Sequence, residues 1–310
     1  MKKLFLVTTL GATFVLALSA CGKDEYKLSV VAPQGAPAVS VSALAVADPA
    51  NYSFIDANNI SEQFTSNEKD IIIAPVNAGA KLYKLGKSTY KLGAVVTWGN
   101  LYFATQRADI QSVTDLSGKD ITLFGENTIN SSLARYVLSN KNIEPNYTYL
   151  GSAANTKELL ASDANSIVMT AEPALTAVTN QLKQNGKTVK AFAISDLYKE
   201  ISDAEFTQAA LFIKNDAIEN HKEVVNDFLD SVKASCDLVT NDVEKAANNI
   251  ITLGNTGLPS ALPVLKTALP KCNIKFVDAK DSKKQLEKTV SIDKAQFGGA
   301  NPADDFYYNK

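Results

Sequence analysis

The stretch that decides the fold is Asp70-Ile71-Ile72-Ile73-Ala74-Pro75-Val76-Asn77-Ala78-Gly79. Three consecutive isoleucines are typical of a strand buried on both faces, because such a strand has no polar side to alternate with. The segment from Pro75 through Tyr83 then favours a turn and a helix. A buried strand that leads directly into a helix is the repeating unit of α/β proteins.

The same order of strand, turn and helix recurs on both sides of this unit. Strands are predicted over 27–32 and 120–124, and helices over 37–46 and 130–140. The alternation predicts an α/β fold with mostly parallel sheets flanked by helices. The last third is more helical, and a segment from Val224 to Cys236 has one apolar face.

The first twenty residues are predicted to be a targeting segment and not part of the fold. Two lysines precede a mostly apolar run over 4–18, and small residues stand directly before Cys21. This order is typical of a secretory signal peptide, and the run is shorter than the roughly 20 apolar residues of a transmembrane helix. The sequence therefore predicts a signal peptide at 1–20 and a tether at 21–25, which extends about 17 Å at most.

The residues before the first cysteine, Leu18-Ser19-Ala20-Cys21, resemble the lipobox of bacterial lipoproteins. The resemblance implies that Cys21 is lipidated and becomes the first residue of the mature chain. Lipid chains insert methylene groups into the bilayer at about 0.8 kcal/mol each, so two or three chains anchor a domain firmly. The alternative is an ordinary signal peptide that is followed by a cysteine by chance.

Composition argues against several classes of function. Removing residues 1–20 from 310 leaves 290, which fits two domains, and removing two lysines changes the formal charge from -2 to -4. This mild acidity argues against a nucleic-acid partner. One histidine, His221, and few cysteines do not suffice for a zinc-type site or for a Ser-His-Asp or Cys-His arrangement. We therefore predict no metal, no cofactor and no enzymatic activity.

Several stretches together resemble the substrate-binding lipoproteins of ABC importers, and the nitrate, sulfonate and thiamine-precursor group in particular. Each stretch is a weak motif alone, but their order after a lipobox is typical of the class. They read Val31-Ala32-Pro33-Gln34-Gly35-Ala36-Pro37, Ile73-Ala74-Pro75-Val76-Asn77-Ala78-Gly79, Val96-Thr97-Trp98-Gly99-Asn100, Asp115-Leu116-Ser117-Gly118-Lys119 with Phe124-Gly125-Glu126-Asn127-Thr128, and Thr170-Ala171-Glu172-Pro173.

The resemblance implies a two-lobed fold of the type 2 periplasmic-binding-protein kind. One lobe is expected at 26–102 and 206–310 and the other at 103–205, joined by two crossing strands. A small-molecule ligand would lie in the cleft between the lobes, and the permease of an ABC importer would recognise the closed form. The chain would work at the extracytoplasmic face of the cell membrane, held there by the lipid on Cys21.

Five turns that follow strands contain the candidate ligand-binding residues, because ligands of open α/β sheets bind beyond the carboxyl ends of the strands. Amide, hydroxyl and backbone N–H groups are the expected polar contacts, and Trp98 offers a ring for stacking. For each turn there is a local alternative, namely a tight turn, a helix cap or a core tryptophan. The candidates are Gln34, Gly35, Ala36, Pro75, Asn77, Trp98, Asn100, Gly125, Asn127, Thr128 and Glu172.

Cys236 and Cys272 remain as thiols once Cys21 is lipidated, in a compartment that permits disulfides. We predict a disulfide between them. The alternative is two buried thiols, because Cys236 lies on the apolar face of a predicted helix and free cysteines are often buried.

The two arginines of the chain, Arg107 and Arg135, are poorly placed to grip a strongly anionic ligand. Neutral, zwitterionic and weakly anionic ligands stay open. Two other functions also stay open: an enzyme of the same fold that acts on a cofactor precursor, and a surface lipoprotein without a role in transport.

Overall fold

The computed structural model describes residues 26–310, so the predicted signal peptide, Cys21 and the tether at 21–25 lie outside the described residues. The described chain forms two sheets with helices against them, which confirms the α/β fold class. Each sheet and its helices are called a lobe below. Strands and helices are numbered in chain order.

Six strands form the sheet of the first lobe, and the isoleucine run lies inside it. The strands are β1 (Val30–Pro33), β2 (Tyr52–Ile55), β3 (Ile71–Pro75), β4 (Tyr90–Trp98), β10 (Thr207–Lys214) and β11 (Ile274–Asp278). Their order across the sheet is β11-β4-β10-β3-β1-β2. The three isoleucines of β3 are fully buried, as predicted for a strand with neighbours on both sides.

Five strands form the sheet of the second lobe. They are β5 (Leu101–Thr105), β6 (Asp120–Phe124), β7 (Asn146–Leu150), β8 (Ile167–Ala171) and β9 (Lys190–Ala193). Their order is β7-β6-β8-β5-β9. The chain changes sheet between Trp98 and Leu101, so the predicted lobe boundary at 102 lies inside β5.

Both sheets are mixed, whereas the sequence predicted mostly parallel pairing. β1 pairs in parallel with β2 and β3, and β6 with β7 and β8, but the five other pairings are antiparallel. Every antiparallel pair contains β4, β5 or β10, the strands next to the two crossings between the lobes. A strand that arrives from the other lobe starts at the edge where β3 and β8 end, so it must run opposite to them.

Thirteen helices cover the sheets within residues 26–310. In the first lobe they are α1 (Ala36–Val39), α2 (Ser42–Ala47), α3 (Glu62–Ser66), α4 (Val76–Lys84), α9 (Asn215–Asn220), α10 (Lys222–Asn241), α11 (Val243–Leu253), α12 (Leu262–Ala268) and α13 (Lys283–Ile292). In the second lobe they are α5 (Ile129–Asn140), α6 (Ala153–Ser162), α7 (Ala174–Gln184) and α8 (Ile194–Lys199). None of these helices is both long and apolar enough to cross a bilayer.

Close packing at the centre of the first lobe requires a glycine on α4. A Cβ atom on Gly79 would stand 2.3 Å from Cε1 and Cζ of the Phe212 ring. Phe212 is fully buried, and its ring lies 5.1 Å from the ring of Phe64 and 6.2 Å from that of Phe306, measured between centroids. Helix α4 therefore rests directly on β10, which sets the position of the turn at its start.

The described chain begins at the end of the first sheet that lies opposite the turn at Pro75. The carboxylate of Asp70, just before β3, accepts hydrogen bonds of 2.8 Å from the hydroxyl of Tyr26 and from the backbone N–H and hydroxyl of Ser29. The Tyr26 ring stacks on His221 with 3.5 Å between ring centroids. The single histidine thus has a packing role at this end of the lobe.

The structure contradicts the predicted disulfide, because Cys236 and Cys272 are free thiols. Both are buried, and each donates to a different carbonyl oxygen: Cys236 to that of Ser40 at 3.8 Å and Cys272 to that of Ala268 at 3.4 Å. Burial raises the pKa of both thiols because it disfavours the charged thiolate. The alternative of two buried thiols describes the arrangement.

We expect purified Cys21→Ala protein to contain two thiols that react only when the chain unfolds. The thiolate is the reactive species, and burial suppresses both its formation and its access. Titration with Ellman's reagent, without reductant, should give two equivalents in denaturant and almost none in native buffer. If no thiol reacts in denaturant, the two cysteines form a disulfide and the expectation of free thiols is wrong.

Candidate ligand-binding cleft

Four parallel strands end at the turns that the sequence singled out. β1 and β3 end at Pro33 and Pro75 in the first lobe, and β6 and β8 end at Phe124 and Ala171 in the second. Each strand leads within a few residues into a helix, respectively α1, α4, α5 and α7. Such short loops lie at the carboxyl edge of a sheet, where open α/β folds bind ligands.

Gln296 connects the turns of the two lobes. It lies in a 3-10 turn at Lys294–Phe297, and its Nε2 donates to the carbonyl oxygen of Asn127 at 2.7 Å. Its Oε1 accepts from Nδ2 of Asn77 at 3.5 Å. Asn77 is in the first turn of α4 and Asn127 precedes α5, so the structure brings one candidate from each lobe to the same amide.

A second contact joins the lobes beside Gln296. The hydroxyl of Ser132 on α5 donates to Oδ2 of Asp293 at 2.8 Å. Arg135 donates to the hydroxyl of Ser132 at 3.3 Å and to that of Tyr149 at 3.0 Å, so its guanidinium braces this contact within the second lobe. Sequence reasoning missed these residues, because partners that lie 161 to 219 positions apart leave no local pattern.

Asn77 has a free acceptor, and it does not cap α4. The N-cap position is Pro75, which has no side chain able to accept a hydrogen bond from the helix. Oδ1 of Asn77 is buried and has no hydrogen-bond partner within residues 26–310. The capping alternative therefore does not describe Asn77.

The turn after β1 is held by a distant loop. The N–H of Gly35 donates to the carbonyl oxygen of Thr256 at 2.8 Å, and Nε2 of Gln34 donates to that of Asn255 at 3.2 Å. Gly35 has a φ of 105°, a conformation that favours glycine. Gln34 is exposed and Ala36 is buried, so Gln34 offers the accessible side chain of this turn.

The turn before α5 combines a helix cap with a cross-lobe contact. The side chain of Thr128 accepts from the N–H of Ser131 at 3.4 Å and donates to the carbonyl oxygen of Gly125 at 2.7 Å. Gly125 and Asn127 have φ angles of 69° and 58°. The cap alternative thus describes Thr128, while Asn127 offers its carbonyl to Gln296 and has an exposed side chain.

Asn100 and Glu172 meet at the first crossing between the lobes. The N–H of Glu172 donates to the carbonyl oxygen of Asn100 at 3.0 Å, and Nδ2 of Asn100 donates to that of Glu172 at 3.3 Å. The N–H of Asn100 donates to Oε1 of Gln208 on β10 at 3.1 Å. Both side chains are 3% exposed, and Oδ1 of Asn100 has no partner within the described chain.

The Glu172 carboxylate is buried at the start of α7. It accepts hydrogen bonds from the N–H of Thr176 at 3.1 Å and from its hydroxyl at 2.9 Å, as a helix cap would. Burial raises the pKa of Glu172, while these bonds and the charge of Lys271 act in the opposite direction. Burial, with the Glu172 charge adding to it, also raises the pKa of Tyr102 to about 12. A partly satisfied carboxylate therefore lies among groups from both lobes.

Trp98 does not lie with the other candidates. Its ring is 3% exposed, its Nε1 donates to the carbonyl oxygen of Lys275 at 2.9 Å, and the Lys275 ammonium lies 4.5 Å from the ring centroid. With Glu205 and Asn273 it lines a cavity of about 320 Å³ that includes none of the other candidates. The structure therefore puts Trp98 beside the crossing, as the core alternative described.

Neither an anion grip by Arg107 nor a metal site follows from the geometry. Arg107 forms a fork with Asp109 through bonds of 2.9 and 2.6 Å, which occupies its guanidinium locally. Within residues 26–310, no group of three or more His, Cys, Asp or Glu side chains is arranged to hold a metal ion.

We expect Gln296→Ala to favour separation of the lobes. Loss of the bond to the Asn127 carbonyl removes about 1 kcal/mol from the closed form, roughly a fivefold change in its population. Small-angle scattering should then give a larger radius of gyration than for the natural chain. Lys294→Ala, an exposed change in the same 3-10 turn, is the matched control. Identical radii for both variants would contradict a closing role.

Known proteins with this arrangement share its fold at low sequence identity. An ABC transporter structure from Parabacteroides distasonis superposes with a TM-score of 0.76 at 18% identity, covering 91% of this chain and 99% of that one. The periplasmic aliphatic sulphonate binding protein SsuA from Escherichia coli gives 0.65 at 13%, covering 91% and 92%. The desulfurization enzyme DszB gives 0.58 at 12%, covering 91% and 97%.

The family described as NMT1/THI5 like matches residues 90–246, about half of the chain. No curated protein matches the sequence. The matched segment runs from β4 through the second lobe to α11 and contains both crossings. The chain therefore belongs to the NMT1/THI5-like family and has the two-lobed α/β fold of periplasmic binding proteins.

Proposed function

We propose that this chain is the solute-binding lipoprotein of an ABC importer and captures a small molecule between its lobes outside the cytoplasm. The observation that supports this best is the contact at Gln296, which joins a strand-end turn of each lobe. A ligand that bridges such turns gains contacts on both sides only when the lobes approach. It therefore stabilises the closed state, the form that a permease would recognise.

The proposed ligand contacts divide into two kinds. Side chains that offer polar groups at the cleft are expected to touch the ligand directly, and the remaining candidates shape the turns. Trp98 adjoins the crossing and is expected to report closure. The direct contacts are Gln34, Asn77, Asn100, Asn127 and Glu172, and the turn-shaping residues are Gly35, Ala36, Pro75, Gly125 and Thr128.

An enzyme is the second candidate, because the fold is similar to that of a desulfurization enzyme. Two observations favour binding over catalysis. His221 stacks on Tyr26 at the end of the first sheet opposite the Pro75 turn. Cys236 and Cys272 are buried thiols with raised pKa values, so neither is a ready nucleophile.

The test of solute capture uses whatever small molecule co-purifies with the chain, identified by mass spectrometry after denaturation. Rebinding should reduce the radius of gyration in solution scattering, alter Trp98 fluorescence and return the molecule unchanged. Asn77→Ala should weaken binding by about 1–2 kcal/mol, roughly five- to thirtyfold in Kd.

Asn140→Ala is the control for this test, since Asn140 is exposed at the last residue of α5, far from its cleft end. Conversion of the molecule would support an enzyme. Rebinding without any change in the radius of gyration would contradict capture by closure.

The proposed lipid anchor has its own test. Cys21→Ala should leave the protein unprocessed or free of lipid, because the thiol that carries the lipid is lost. The variant should also retain its ligand affinity, since Tyr26 starts the described chain at the sheet end opposite the proposed cleft. Mass spectrometry of the intact protein measures the change, because attached lipid adds to the mass of the chain. A Cys21→Ala protein that still carries the mass of the lipid would contradict the anchor.

A further inference from the structure

The polarity of the amide relay at Gln296 is set by one backbone carbonyl. The Asn127 carbonyl can only accept, so the Gln296 atom that faces it must be Nε2. Oε1 of Gln296 then faces Asn77, which must present its own Nδ2. The group that Asn77 has left is Oδ1, an acceptor that is buried and has no partner in residues 26–310.

Asn100 is oriented by the same logic. Its Nδ2 faces the carbonyl oxygen of Glu172, so the remaining atom is Oδ1, again an acceptor. The residue is only 3% exposed, and this oxygen has no partner in the described chain. An acceptor buried without a donor is unfavourable, and a ligand that donates to it relieves the deficit.

Glu172 adds a third acceptor beside Asn100. Its carboxylate takes hydrogen bonds only from Thr176 among the described residues, which leaves further lone pairs. The charge of the exposed Lys271 acts to lower the pKa of Glu172. No lysine or arginine nitrogen of residues 26–310, however, forms an ion pair with the Glu172 carboxylate. Both arginines are engaged elsewhere, Arg107 with Asp109 and Arg135 with Ser132 and Tyr149.

From these three groups we infer that the ligand presents N–H donors to the cleft, as an ammonium, amidinium or amino group, and that oxyanions are rejected. The inference rests on the proposed function. A sulfonate or phosphate would bring its oxygens against Asn77, Asn100 and Glu172, where acceptor would face acceptor. An N–H donor satisfies the same atoms, and unpaired polar groups discriminate strongly between the two classes.

The test compares three probes that share one phenyl ring and differ in polarity: benzamidine, benzamide and benzenesulfonate. Isothermal titration of the Cys21→Ala protein should rank their affinities in that order, with benzamidine at least about tenfold above benzenesulfonate. Nearly equal affinities for benzamidine and benzamide would support a neutral N–H donor as the ligand rather than a cation. Equal or tighter binding of benzenesulfonate overturns the inference, and so does the failure of both N–H donors to bind.

Two variants locate the effect at the acceptors. Glu172→Gln removes the charge with little change in shape, and it should weaken benzamidine by about tenfold while changing benzamide less. Asn77→Ala should weaken both N–H donors, and it guards against a folding defect in the first variant. Glu158→Gln, an exposed carboxylate on α6, is the control and should leave all affinities within about twofold. Equal loss with Glu158→Gln overturns the assignment.

Scattering separates this inference from the proposed function. If benzenesulfonate binds and reduces the radius of gyration, the donor preference fails and solute capture stands. If benzamidine binds without changing the radius of gyration, the preference for N–H donors is supported and capture by closure fails.

Discussion

Two residues, Gly99 and Asn100, carry the chain from the last outgoing strand of one sheet to the first strand of the other. Every backbone polar group here is bonded across a junction: the N–H of Gly99 to the carbonyl of Phe206, and the carbonyl of Gly99 to the amide of Asn273. Asn100 bonds to Gln208 and to Glu172. Because both crossings are bonded to each other here, the end of β4 and the starts of β5 and β10 lie together at the junction of the lobes.

On the proposed function, this junction acts as the hinge and is also part of the candidate site. Asn100 carries a buried acceptor and holds the backbone of Glu172, so whatever touches one of these side chains also acts on the crossing. Across the cleft, Gln296 and Asp293 reach from the first lobe to the start of α5. On the proposed function, recognition and closure would therefore depend on overlapping sets of residues.

Local patterns in the sequence predicted those features of the fold that depend on neighbouring residues. The isoleucine run at 71–73 has no polar face, so its burial in a sheet follows from composition alone. Strand-end turns such as the one at Asn77 follow from the order of strand and helix. The fold class and the family resemblance rested on these local stretches, and both are confirmed.

What the sequence could not predict depends on partners far along the chain. The antiparallel pairing of β10 follows from the side on which it re-enters the first lobe, which no local pattern records. Gln296 meets Asn127 across 169 positions, and nothing near Gln296 marks it. A disulfide between Cys236 and Cys272 was predicted because only these two thiols remained, but each thiol donates to a different backbone carbonyl oxygen.

The hydrogen bonds between the lobes favour closure, whereas the buried acceptors that lack donors oppose it. The bonds from Gln296 to Asn127 and from Ser132 to Asp293 favour the closed form by about 0.5–1.5 kcal/mol each. Buried acceptors without donors among the described residues, those of Asn77 and Asn100, oppose it by about 1–3 kcal/mol each when water is excluded. On the proposed function, the bonds favour closure by about 1–3 kcal/mol in total and the acceptors oppose it by about 2–6 kcal/mol in total, so without ligand the open form is favoured by a few kcal/mol at most. A ligand that supplies the missing donors removes the opposing contribution and leaves the favourable one, so a few hydrogen bonds suffice to move most of the population.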